Sequence, residues 1–104
     1  MHFLLDEYEF SIKGIQVLYF YASWMPQHKK MLSSLSKMEE KYQYEFIAFD
    51  TDYFKSFCKR FNVSSIPTII ILDDGEEKKR IEGIVLISSI KNMFFNFDKE
   101  KNNG

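Results

Sequence analysis

Val63-Ser64-Ser65-Ile66-Pro67-Thr68-Ile69-Ile70-Ile71-Leu72 is the stretch on which the fold turns. Ile66 to Leu72 is the longest apolar run in the chain, interrupted only by Pro67 and Thr68. Its β-branched residues favour a pleated strand, and the lack of polar alternation marks a strand covered on both faces. Pro67 stands at the start of the run, where a strand tolerates a missing N–H. A strand hidden on both sides needs a sheet with a layer packed against each face.

Downstream, Asp74-Gly75 is a tight hairpin signal, so Glu77 to Glu82 should return antiparallel. Lys78, Lys79 and Arg80 suit an edge strand that must resist unwanted pairing, and read as a solvated face rather than a binding patch. Beyond Gly83, the spacing of Leu86, Ile90, Met93 and Phe97 predicts a last amphipathic helix. Lys99 to Gly104 offers nothing to pack, so the domain is expected over 1–98 with a flexible tail over 99–104.

Upstream, Ile15-Gln16-Val17-Leu18-Tyr19-Phe20-Tyr21 is a second largely apolar run, again predicting a buried strand. Met31, Leu32, Leu35, Met38 and Tyr42 fall on one stripe of a helix from about Pro26 to Lys41, with proline in the first turn. Tyr44 to Phe49 is a further strand. Asp50, Thr51 and Asp52 offer cap oxygens to a helix whose Tyr53, Phe54, Phe57, Cys58 and Phe61 share a face, and Asn62 should end it. His2 to Leu5 and Asp6 to Ile12 give a short strand and a helical turn. Strands alternating with helices, closed by a hairpin, predict an α/β protein: a central mixed sheet of four or five strands flanked by helices on both faces.

Composition narrows the function. The 104 residues fit one domain, and 45% hydrophobic content with 17% aromatics is ample for a core. A net charge of −1 argues against a nucleic-acid or anionic-membrane footprint. No apolar run approaches the roughly 20 residues of a spanning helix, and Met1-His2-Phe3-Leu4-Leu5 meets Asp6 and Glu7 without a basic leader. A cytoplasmic monomer without cofactor is expected. Cys58, the single cysteine, has no partner for an internal disulfide and reads as a buried structural thiol or, alternatively, an exposed one.

Three segments taken together resemble the thioredoxin family over roughly residues 3 to 97: Tyr19-Phe20-Tyr21-Ala22-Ser23-Trp24, Val63-Ser64-Ser65-Ile66-Pro67-Thr68, and Asp74-Gly75 followed by Gly83. The family pattern runs F-W-A-x-W-C-G-P-C-K, then V-x-S-I-P-T, then a hairpin and a late glycine. The resemblance implies the thioredoxin-like fold and a cis Ile66-Pro67 bond facing the redox site. It also exposes departures. Aligning Trp24 puts Met25 and His28 at the two cysteine positions, so the loop reads Met25-Pro26-Gln27-His28. The family's buried aspartate and its lysine align with Tyr19 and Ala48. Disulfide exchange needs an attacking thiolate and a resolving thiol, and this loop has neither.

The resemblance therefore implies no catalytic residue and favours a redox-inactive module that binds an extended segment of another protein through Trp24, Met25, Ile66, Pro67 and Ile84. Such recognition uses main-chain hydrogen bonds and side-chain contacts and requires no thiol. The same patch could instead be a relic, with Trp24 packed beneath the loop. A thioredoxin-type disulfide oxidoreductase by descent is the alternative, which would have to work through Cys58. A third reading is metal or haem binding through Met25 and His28, with His2 needed from another element; two ligands at that spacing are too few to predict a metal site. His28, on the packed stripe near a helix N-terminus, is expected neutral and hydrogen-bonded.

Overall fold

The computed structural model describes residues 1–103. Elements follow in the order β1 (His2–Phe3), a 3-10 turn (Glu7–Glu9), β2 (Ile15–Tyr21), α1 (His28–Tyr42), β3 (Glu45–Asp50), α2 (Lys55–Arg60), β4 (Thr68–Asp73), β5 (Glu76–Glu82) and α3 (Ile87–Asn103). The sheet has five strands in the order β1-β3-β2-β4-β5. β1, β3 and β2 run parallel, and β4 and β5 each pair antiparallel with the preceding neighbour.

Two cores sandwich the sheet, and strand alternation assigns residues to each. Val17, Tyr19, Tyr21, Phe46, Ala48, Ile69 and Ile71 face Met31, Leu35 and Met38 of α1 and Ile90, Phe94 and Phe97 of α3. Leu18, Phe20, Ile47, Phe49, Ile70 and Leu72 face Phe57 of α2, with Phe10, Phe54, Cys58 and Phe61 packed against them. Every residue from Gln16 to Tyr21 is buried, as the apolar run requires. Gln16 is the polar exception, and its side chain is fully used: the amide donates to the Ser11 carbonyl at 2.8 Å and Glu45 Oε1 at 2.7 Å, while its oxygen accepts from Lys13 N–H.

The hairpin forms at Asp74-Gly75, where both residues take positive φ (49° and 86°), as an Asp-Gly turn between twisted strands does. Asn62 is likewise left-handed, with φ 57°. The Asn62 turn is held from a distance. Arg80 on β5 donates to the Phe61 and Asn62 carbonyls while pairing with Glu77 and Glu82. Arg80 is therefore half-buried and structural, which corrects its reading as one more solvated edge charge.

Other expectations shift. α1 begins at His28 rather than Pro26, because Met25 O accepts from His28 N–H in a turn that precedes the helix. α2 has six residues, begins after Phe54 and lacks a side-chain cap; Asp50 Oδ1 instead accepts from Asp52 N–H within the turn. Tyr53 lies outside α2 and is 80% exposed, so it leaves the predicted apolar face. Leu86, at 73% exposure, precedes α3 and is not core; Phe94 fills that face instead. α3 continues through Asn103, with Lys79 pairing to Glu100, so residues 99–103 are helical and only Gly104 of the expected tail lies outside the described residues.

Phe49 has no exposed surface and contacts the rings of Phe10, Phe20 and Phe57, so Phe49→Ala should cost about 3–5 kcal/mol in urea unfolding. Tyr53→Ala should stay within about 0.5 kcal/mol of the parent.

Candidate functional site

Parallel α/β sheets place sites where strand carboxyl ends meet helix amino ends. Here β2 ends at Tyr21 and β3 at Asp50, which are paired in register, and the loop from Ala22 leads into α1. Register continues across the sheet: Phe20 pairs with Thr68, and Thr68 with Glu82. Trp24, Ile66-Pro67 and Ile84 are thereby carried to one end of the sheet. The Pro67 carbonyl accepts from Gly83 N–H at 2.8 Å, which fixes the segment leading to Ile84. The Ile66–Pro67 peptide bond is cis.

The predicted surface residues separate into two groups. Trp24 and Ile84 are exposed, at 70% and 76%, and Ile66 is half-buried. Trp24 is not packed beneath the loop; its indole N–H donates to Asp52 Oδ2 at 3.2 Å and holds the ring out over the surface. Met25 departs from its expected place. At 8% exposure it belongs to the core under the loop, so its thioether is a floor and not a contact surface. Pro67 is also buried, while Pro26 and Gln27 are exposed.

His28 sits where the sequence places it, on the inner side of the first turn of α1. Its Nδ1 lies 3.0 Å from the Tyr19 hydroxyl, and its ring stacks on Tyr21 with centroids 4.4 Å apart. Tyr19 and Tyr21 stack on each other in turn at 5.3 Å. Burial holds the imidazole below its usual pKa, opposed by the Asp50 carboxylate, so the neutral ring is favoured as expected. Burial, followed by the neighbouring Tyr21, pushes the Tyr19 phenol well above its ordinary range. Burial raises Tyr21 as well, with Asp50 acting in the same direction. A neutral phenol and a neutral imidazole thus share one hydrogen bond.

This stack is the part of the site that sequence reading missed, although the signal was present. Residues 19 and 21 lie two apart on a strand and must share a face. Asp50 and Asp52, read only as helix caps, instead border the stack and hold Trp24. Tyr19 and Ala48 are direct register partners, so the two positions aligned with the family's acid and lysine do adjoin, and both are now uncharged core.

For the metal reading, the Met25 thioether is buried in the core, and His28 Nδ1 lies against the Tyr19 hydroxyl, leaving Nε2 as the ring nitrogen not engaged there. Cys58 lies on α2 itself, half-buried rather than fully buried, and packs against the opposite core, where burial raises its pKa. The sheet separates it from Met25 and His28, which lie on the α1 side.

A five-stranded mixed sheet with helices on both faces and a loop-to-helix site at the strand ends defines a thioredoxin-like domain. The thioredoxin family model matches residues 5–94, and the chain belongs to that family. It is 27% identical to a thioredoxin of Mycoplasma genitalium over 88 residues, covering 84% of this chain and 86% of that protein. It is 33% identical to mitochondrial thioredoxin-2 of Schizosaccharomyces pombe over 74 residues, covering 70% of this chain but 56% of the relative. Thioredoxin O2 of Arabidopsis thaliana in its oxidised state superposes with a TM-score of 0.82 over 91% of each chain; at 23% identity this likeness concerns the fold.

Because burial lowers the imidazole pKa below 6.5, the unfolded chain binds a proton more readily than the folded one in that range. Stability owed to neutral His28 is present above about pH 6.5 and declines as pH falls through the lower folded value. Thermal midpoints measured downward from neutral pH should show this decline in the parent and a flatter profile in His28→Gln. A ring titration followed by NMR should show a midpoint below that of a histidine in an unfolded peptide.

Proposed function

We propose that the protein is a redox-inactive thioredoxin-family module that binds an extended segment of another protein over its former active-site surface. One observation carries the reading. The loop where the chemistry would require two thiols presents a buried thioether and an imidazole turned to Tyr19, while Trp24 and Ile84 remain exposed beside it. Large exposed apolar side chains at one end of a sheet mark a surface that meets another protein. Ile66 adds a main-chain element: its N–H and C=O form no hydrogen bond among the described residues, leaving both groups for a strand laid alongside. Disulfide exchange, by contrast, has lost the attacking and resolving thiols together. Cys58 does not replace them, since it lies across the sheet with a raised pKa and no second cysteine in the chain.

An insulin-reduction assay with a dithiol donor should give background turnover for the parent and for Cys58→Ala alike. Turnover that disappears in the variant would restore the oxidoreductase alternative. A photo-crosslinker at Trp24 or Ile84 should capture a protein in the native host, and the same group at Lys59, in the last turn of α2, should not.

Restoring the thiols tests the alignment itself. Met25→Cys with His28→Cys puts two sulfurs at the start of α1, where the helix dipole favours a thiolate. The double variant should reduce disulfides measurably, yet slowly, because Tyr19 and Ala48 leave no buried acid or lysine to move the proton. Failure of the folded variant to form an internal disulfide under mild oxidant would show that the two positions do not face each other.

A further inference from the structure

Between α1 and α3 lies a groove of about 400 Å³ whose lining includes neither Trp24 nor Ile84. Helix spacing builds it: Lys37 and Lys41 stand one turn apart on α1, and Lys91 and Phe95 one turn apart on α3. Met38 and Tyr42 form its floor, and Lys41 extends over the Tyr42 ring at 5.3 Å. Phe95 is 57% exposed, a large apolar ring left at the wall of a cationic cleft.

The charges are one-sided. Among the described residues no carboxylate lines the groove, and none of the three lysines forms an ion pair. Acids on the same helices are occupied or turned elsewhere. Glu39 pairs with the amino-terminal ammonium, Asp98 accepts from the Tyr44 hydroxyl at 2.6 Å, and Glu40 points to solvent outside the lining. In a chain with net charge −1, three unneutralised ammonium groups around an exposed aromatic form a local feature that composition hides.

We propose that this groove is a docking site for an acidic protein segment carrying one aromatic or large aliphatic side chain. The carboxylates meet Lys37, Lys41 and Lys91, and the apolar side chain covers Phe95 and the Tyr42 floor. Charge supplies orientation, rate and the larger share of the holding energy at this open surface, and burial of the apolar anchor adds to it and fixes the register. The groove's nearest lysine on α1, Lys37, stands roughly 13 Å along the helix from His28, at ~1.5 Å per residue, and neither Trp24 nor Ile84 lines the groove. The site stands whether or not the Trp24 surface binds a partner.

The probe is a short fluorescent peptide of Asp and Glu flanking a single Phe, titrated against the full chain by polarisation, with the contacted amides followed by NMR. Binding in the range of about 10–100 μM is expected, with shifts confined to 34–42 and 91–95. Lys37→Glu with Lys91→Glu should weaken it at least about tenfold, and raised salt should weaken it in parallel. Phe95→Ser should weaken it several-fold. The charge-matched control, Lys55→Glu with Lys59→Glu on α2, should leave it unchanged, as should circular dichroism for every variant. An Asn/Gln analogue of the peptide should fail to bind. The proposal is overturned by absence of binding at millimolar peptide, by equal loss in the α2 control, by shifts centred on Trp24 and Ile84, or by a preference for phosphatidylserine vesicles over the peptide.

Discussion

The burial of β2 on both faces and along both edges constrains the rest of the molecule. A strand with no exposed side chain from Gln16 to Tyr21 must have neighbours that supply ladder partners on either side and apolar layers above and below. β3 joins it parallel, so the chain between them has to cross over a face, and α1 is that crossover. β4 joins it antiparallel and brings Thr68 level with Phe20. The site inherits its position from these pairings. The loop after Tyr21, the Ile66-Pro67 turn and the Gly83-Ile84 segment converge because their strands end in register.

Changing the chemistry of such a site while keeping its scaffold calls for polar groups that satisfy one another. An ionised carboxylate beneath the loop without its counter-charge would cost several kcal/mol. Tyr19 avoids this by being neutral, and it meets a neutral His28 rather than an apolar wall. Stacking of three rings, Tyr19, Tyr21 and His28, fills the volume between the sheet and α1. Among the described residues no buried side-chain nitrogen or oxygen lacks a partner, so the altered site is internally consistent as a packed unit.

The fold was legible because its decisive signals are local. Two unalternating apolar runs, an Asp-Gly turn, and helix stripes at Met31, Leu35 and Met38 each report their own surroundings. Legibility stopped where neighbours distant in sequence decide. Met25 reads as an exposed loop residue next to Trp24, yet the loop turns it inward, and only the pairing of Met25 N–H with Ala22 O shows how tightly the chain bends. Tyr53 fits the apolar spacing of α2 but falls before its first turn. Leu86 fits α3 in the same way and is likewise cut off by the boundary. Periodicity places a residue on a face only if the element extends that far. The lysine groove was invisible for a further reason: its charges come from two helices some fifty residues apart and vanish in a near-neutral total.

Arg80 has a wider effect than its place on an edge strand indicates. Its guanidinium ties the carbonyls that end α2 to the middle of β5, so fraying of the hairpin must expose unpaired Phe61 and Asn62 carbonyls at the same moment. Two pieces of chain with no shared ladder are therefore expected to open together, as one cooperative unit in native-state hydrogen exchange. The Asn62 turn leads directly into Val63-Ser64-Ser65, the approach to Ile66 and Pro67. The Ile66-Pro67 turn is thus anchored from behind by an arginine that does not belong to it.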